Sequence, residues 1–121
     1  MLRIMSLPIS IMKKLMGGNM DFSLEEKVIG TWIDGKPLYS KGFIINGNLS
    51  AGMTIDIENC NEIISSFGTV LYSTSNQQCL FPYGVAGNYC EFYLINDKIQ
   101  FNCSANWHDA KFVVLYTKKD D

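Results

Sequence analysis

The sequence predicts an all-β fold: a single antiparallel β-sandwich, jelly-roll-like, of about eight short strands with a short N-terminal helical appendage. Three observations predict it. From Val28 onward, β-branched and aromatic residues gather into short runs, the residue types that suit a pleated, half-buried surface. Clusters of Gly, Asn and Asp separate those runs at fairly even spacing, as in sandwiches and barrels. Several runs alternate apolar with polar residues, the period of a strand with one buried face.

Residues 1–22 stand apart as an appendage or linker, and residues 23–121 form the sandwich domain. The first twenty residues hold five of the six Met and end in the breaker cluster Gly17-Gly18-Asn19. Pro8–Met16 has room for about two helical turns, with Pro8 tolerated near the start. Met1–Met16 carries one early Arg and a short apolar run, but Ser6, Pro8 and Ser10 interrupt it and no small-residue cleavage site follows, so the match to a secretory signal is weak. No apolar stretch approaches the roughly 20 residues of a bilayer-spanning helix, and no membrane insertion is expected. Ser23-Leu24-Glu25-Glu26 reads as a short capped turn of helix, with Ser23 as N-cap and Glu26 three residues later.

The strands follow in order. Val28–Ile33 is the first, and Asp34-Gly35 predicts a two-residue hairpin turn, because Gly accepts the positive φ such a turn demands. In that register Ile33 faces Lys36 and Trp32 faces Pro37. Lys36–Tyr39 starts the return strand, with Pro37 near its beginning because it cannot donate to a ladder. Gly42–Ile45 continues it, and Asn46-Gly47-Asn48 is the next turn. Met53–Ile57 alternates cleanly. Glu62–Tyr72 reads as a strand, with a helical first turn as the alternative, and Gly68 predicts a bulge or bend. Ser73–Gln78 is a loop, and Gln78–Tyr83 a short strand blunted by Pro82. Tyr89–Ile95 and Lys98–Cys103 flank an Asn96-Asp97 turn, with Ile99, Phe101 and Cys103 on one face. Ser104–Ala110 is expected as loop and Lys111–Thr117 as the last strand. Tyr89–Ile95 and Phe112–Tyr116 are apolar on both faces. An antiparallel sheet usually shows water one polar face, so the second face meets either another subunit or a covering segment of the same chain.

Composition bounds the function. Hydrophobic residues make up 47% and charged residues 18%, enough apolar surface for a core and too little charge for a disordered chain. The formal net charge is -2 with no basic face, so nucleic acid is not an expected partner. Cys60, Cys79, Cys90 and Cys103 are widely spaced with no CxxC pair, so no metal site is expected. Three disulfide pairings are formally possible; four reduced, buried thiols is the plainer reading. The glycines form no phosphate-binding motif, and no cofactor is expected.

No catalytic constellation emerges. The single histidine, His108, lies in Trp107-His108-Asp109, and neither Ser104 nor Asp109 sits in a nucleophile turn. Asp56 and Glu58 share a strand face, whose ordinary place is the solvent side of a sheet. Asp34 and Asp97 are explained by their turns. Binding is better signalled. Trp32, Tyr39, Tyr72, Tyr83, Tyr89, Tyr93, Trp107 and Tyr116 are many large aromatics for a short chain, and they suit interfaces and sugar rings. Asn46, Asn48, Asn76, Asn88, Asn102 and Asn106 place side-chain amides in the turns, matched to hydroxyl-rich ligands or there for turn geometry. Trp32 reads as core. Trp107, between Asn106 and His108, is open between core and ligand contact. The candidate ligand-binding set is therefore Trp107, His108, Asn106 and Tyr83.

The stretch Val28-Ile29-Gly30-Thr31-Trp32-Ile33-Asp34-Gly35-Lys36-Pro37-Leu38-Tyr39 resembles a segment of bacteriophage and prophage tail proteins, where it opens a carboxy-terminal β domain after a short acidic lead like Ser23–Lys27. The end of the chain, Phe112–Asp120, is similar to the last strand and tail of those domains. Trp32, Asp34, Gly35, Pro37 and Tyr39 carry the motif as a folding unit. The resemblance implies a non-enzymatic virion component at a tail tip or fibre end, assembled in the bacterial cytoplasm. It also implies a homotrimer that meets other tail proteins and a host receptor, often a surface polysaccharide. The alternative is a free-standing, non-catalytic carbohydrate-binding module.

Overall fold

The computed structural model describes residues 22–120. Among them there is no helix; nine strands form two antiparallel sheets. They are β1 (Lys27–Thr31), β2 (Pro37–Asn48), β3 (Thr54–Asp56), β4 (Cys60–Tyr72), β5 (Gln77–Phe81), β6 (Tyr83–Val85), β7 (Asn88–Ile95), β8 (Lys98–Cys103) and β9 (Trp107–Lys118). One sheet has the order β1-β2-β9-β4-β5 and the other β3-β8-β7-β6. β2 and β3 lie along β9 and β8, a jelly-roll-like outer wrap. Inside it, β4–β5 and β6–β7 close as hairpins, one in each sheet. The chain passes between the sheets at the cis Phe81-Pro82 bond, which divides the expected Gln78–Tyr83 strand in two. The expected helix over Pro8–Met16 lies outside the described residues.

The core between the sheets is aromatic. Phe43, Phe81, Phe92, Phe101 and Phe112 pack against one another, with ring centroids 4.7 Å apart for Phe81 and Phe112 and 5.3 Å for Phe43 and Phe112. Ile99, Phe101 and Cys103 face this core as their alternation predicts, with exposures of 0%, 1% and 6%.

Five local expectations are corrected. Asn46-Gly47-Asn48 is not a turn: β2 runs through to Asn48, with Gly47 at φ 98° where the register against β9 shifts. Ser23–Glu26 makes a bend, not a helical turn: the Ser23 hydroxyl accepts from the Glu25 N–H at 3.2 Å, a local bond that competes with helix. The first hairpin has a three-residue loop, Ile33-Asp34-Gly35, not a two-residue one. Trp32 N–H donates to Lys36 O, Gly35 N–H to Trp32 O, and Gly35 sits at φ 89°. A type I turn followed by a left-handed residue gives that loop, and Asp34 Oδ1 accepts the Lys36 N–H. Thr31 rather than Trp32 therefore faces Pro37, and Trp32 is half-buried outside the core. Gly68 is not itself the bulge. Shifts of register fall on either side of it, and a Cβ there would lie 2.0 Å from Lys111 O, so glycine is needed for close approach to β9. Finally, the expected Ser104–Ala110 loop is only Ser104–Asn106. β9 starts at Trp107, because Asp109, at φ 50°, absorbs an irregularity within the strand and does not end it.

The two-sided apolar character of the last strand is accounted for within the chain. β9 is the central strand of its sheet. Phe112, Val114 and Tyr116 face the core, while Leu115 and Thr117 on the other side are also fully buried. The lead segment lies over that outer side. Gly42 N–H donates to Ser23 O at 2.7 Å, Leu24 reaches toward Gly42, and the Phe22 ring meets Phe67 edge-on at 5.4 Å. Glu26 anchors the lead, accepting from the Tyr116 hydroxyl and pairing with Lys118 at 2.5 Å. β7 differs: Cys90, Phe92 and Leu94 face the core, whereas Tyr93 and Ile95 are exposed on the outer face.

Candidate functional site

One end of the sandwich gathers the residues that carry binding chemistry. Trp107 opens β9 opposite Tyr72, the last residue of β4. The Trp107 ring packs between Tyr72 at 4.7 Å and Tyr83 at 5.4 Å. It is 1% exposed, and its Nε1–H donates to the Ser104 hydroxyl at 2.9 Å. The expectation that Trp107 touches ligand is therefore corrected: it is the buried floor of this end. A large ring flanked by polar residues is buried once its only polar atom has a partner, and Ser104, three residues earlier, provides it. Ser104 in turn accepts from the Tyr89 N–H at 3.1 Å, so its hydroxyl is structural.

Tyr72 and Tyr83 are half-buried, and the Tyr72 hydroxyl donates to Asn88 Oδ1 at 3.0 Å. Asn106 is exposed at φ 77°, and its carbonyl accepts the Ser73 N–H at 2.8 Å. His108 ties the same loops together. Its Nδ1 lies 2.6 Å from Asp109 Oδ2 and its Nε2 3.0 Å from Ser73 O. Asp109 Oδ1 accepts the Gly47 N–H at 2.9 Å. Leu49 N–H donates to Trp107 O. The β2–β3, β4–β5 and β8–β9 connections are thus pinned to one another.

Charge follows from these bonds. The Asp109 carboxylate, then the Ser73 carbonyl, hold the His108 pKa above its ordinary value, against some desolvation. The Gly47 N–H and then His108 hold Asp109 below the usual carboxylate range.

All four candidate residues come together here: Tyr83 and Trp107 through their rings, His108 and Asn106 as neighbours of Trp107. Their roles differ. Tyr83 and Asn106 belong to the reachable rim, Trp107 to the floor and His108 to the clamp. Exposed Asn46, Asn48, Asn76 and Asn88 complete the rim. Tyr72, Ser73, Ser104 and Asp109 also belong here although the candidate set omits them; Ser104 and Asp109 are sequence neighbours of Trp107 and His108, whereas the register of β4 against β9 brings in Tyr72 and Ser73, which no local motif signals. Among the described residues the other carboxylates considered do not join it: Asp56 pairs with Lys98 at 2.6 Å and Asp97 with Lys119 at 2.8 Å. The motif residues Trp32, Asp34, Gly35 and Pro37 belong to the first hairpin, and Tyr39 stacks on Tyr116 at 5.8 Å. They build the fold and do not join the rim.

A shallow cleft of about 230 Å³ lies between the sheets, lined by Ile63, Ile64, Ser65, Ser66, Pro82, Glu91 and Phe92. It offers one carboxylate and no partner acid or base. Comparison with protein-family models, with curated proteins and with solved structures returns no match.

Proposed function

We propose that this chain is a non-catalytic attachment domain of a bacteriophage tail, a fibre-tip or receptor-binding component of the virion that engages glycans of the bacterial surface as a homotrimer. One observation carries the reading. Five exposed asparagines, Asn46, Asn48, Asn76, Asn88 and Asn106, lie at the end of the sandwich where the half-buried Tyr72 and Tyr83 flank Trp107, and the Tyr72 hydroxyl donates to Asn88. Side-chain amides both donate and accept and so match sugar hydroxyls, and tyrosines supply apolar rings with a polar edge. The strand ends and loops that carry them are tied together by backbone and side-chain hydrogen bonds, which lowers the ordering cost of binding. The hairpin motif and its resemblance to tail domains support the virion assignment. Exposed Tyr93 and Ile95 on the outer face of β7 supply an apolar patch for contact between copies.

The test combines solution mass with binding to intact bacteria and to purified surface polysaccharides. A trimer that binds cells, and loses them when the polysaccharide is stripped, is the expected result. A monomer at micromolar concentration that binds neither cells nor any arrayed glycan overturns the proposal.

A second reading, a free-standing carbohydrate-binding module, is favoured by the lead segment. Residues 22–26 already close the outer side of β9, so that face needs no second copy. A monomer that retains glycan binding selects this reading.

A further inference from the structure

We propose that Cys90 and Cys103 are a disulfide site, closed while the chain folds by exchange with a low-molecular-weight disulfide. The two residues are direct partners across β7 and β8. The Ser104 N–H donates to Tyr89 O at 2.9 Å, so the neighbouring Tyr89 and Ser104 occupy a hydrogen-bonded position of the ladder. Cys90 and Cys103 therefore fall at the non-hydrogen-bonded position, where Cα atoms stand about 4.5 Å apart and side chains approach most closely. That spacing lies at the short end of the roughly 4.4–6.8 Å over which disulfides form.

Both side chains point into the core, with exposures of 0% and 6%. The next pair on the same face, Phe92 and Phe101, brings its rings to 6.1 Å. Neither remaining cysteine has such a partner: Cys60 is registered against Lys118 and Cys79 against Val70, both in the opposite sheet.

The chemistry balances with the oxidant named. One cysteine thiolate attacks a sulfur of the small disulfide, expelling a small thiolate and leaving a mixed disulfide. The second cysteine thiolate attacks the protein sulfur of that bond and expels the other small thiolate. Two protein thiols are oxidised to one S–S bond, one small disulfide is reduced to two thiols, and the cysteine protons pass to the expelled thiolates. Burial fixes the timing. In the folded protein it pushes the Cys90 thiol up to about 12 and raises Cys103 as well, which starves the exchange of thiolate. The bond forms before the sheets close and is shielded from reductants afterwards. It ties together the strand ends that carry Tyr89 and Ser104, and so the support beneath Trp107.

The test refolds the full reduced chain from denaturant, either in a mixture of reduced and oxidised glutathione or in reductant alone. Intact mass and peptide mapping follow alkylation. Refolding with glutathione should yield a product lighter by two hydrogens, with Cys90 joined to Cys103. Cys60→Ser and Cys79→Ser should give the same product, and Cys90→Ser and Cys103→Ser should not. Protein folded in reductant and then exposed to oxidised glutathione should keep its full mass. A fully reduced product, or one linked mainly through Cys79 or Cys60, overturns the assignment. Ready oxidation of the folded reduced protein overturns the timing.

Discussion

The His108 imidazole sits between two acceptors, with Nδ1 2.6 Å from the Asp109 carboxylate and Nε2 3.0 Å from the Ser73 carbonyl. A neutral imidazole donates from one nitrogen only, so both contacts are hydrogen bonds only in the imidazolium. The ring therefore holds two connections at the rim of the sandwich on condition of its charge.

A pH dependence follows. The folded-state pKa of His108 is raised by the Asp109 carboxylate and the Ser73 carbonyl. The clamp's contribution is therefore complete below the unfolded value near 6.5 and is lost as pH rises through the folded value. Asp109 behaves oppositely: lowered in the folded state, it contributes above its unfolded pKa and loses that contribution as pH falls through the folded one. The clamp is strongest in the window between. Because the chain has a single histidine, its ring-proton NMR titration reports directly. The midpoint should lie above 6.5, and His108→Gln should speed amide exchange at Ser73. A midpoint at or below that ordinary value would show that the two contacts do not hold the charged ring.

At Gly68 the backbones of β4 and β9 approach closely. A Cβ there would meet Lys111 O at 2.0 Å and Phe112 Cα at 2.5 Å. Both are backbone atoms, so no rotamer change relieves the clash. Gly68→Ala should cost at least the ~1–3 kcal/mol typical of overpacking, read as a lower denaturant midpoint. Gly84→Ala is the control, since nothing lies within 4 Å of that site. Equal midpoints for the two variants would show that the strands are not pressed together at Gly68.

The lead segment keeps the outer side of β9 dry. Phe22 and Leu24 are themselves 37% and 56% exposed, so each contributes modestly to stability, about 1 kcal/mol from partial burial. Their larger role is at Phe67 and Gly42, which flank Val113 on the two neighbouring strands. The double variant Phe22→Ser and Leu24→Ser should bind a hydrophobic dye and self-associate at concentrations where the parent chain does not. Unchanged dye binding would mean that the sheet face is closed without them.

Legibility in the sequence follows the range of the interactions. Period-two patterns placed Ile99, Phe101 and Cys103 correctly because each side chain's face is decided within its own strand. The first hairpin is legible but its loop is not, because Asp34-Gly35 serves a two-residue turn or a three-residue one, and the choice rests on where the Trp32 N–H finds its acceptor. Gly68 announced an irregularity, yet its reason is a neighbouring backbone over forty residues downstream. The site was half legible. Trp107, His108, Asn106 and Tyr83 do converge, but whether Trp107 is floor or rim depends on Tyr72, Tyr83 and Ser104 closing around it. Nothing local reveals that Asp109 holds Gly47 or that His108 holds Ser73.

The division between floor and rim is itself testable. Trp107→Ala removes a ring that is 1% exposed and leaves a cavity, at a cost of about 3–5 kcal/mol; the Ser104 hydroxyl also loses the indole donor. Asn106→Gly is the counterpart. Glycine adopts the φ of 77° found there without the strain of a side chain, and the backbone carbonyl that accepts the Ser73 N–H is retained. The exposed amide alone is removed. Thermal unfolding should fall sharply for Trp107→Ala and stay near the parent value for Asn106→Gly, while binding to bacterial polysaccharide should weaken in Asn106→Gly. If Asn106→Gly binds as the parent does, and Tyr83→Ala folds and does likewise, the amide-rich end is not the ligand surface. Asn76 and Asn106, both at positive φ, would then serve backbone geometry only.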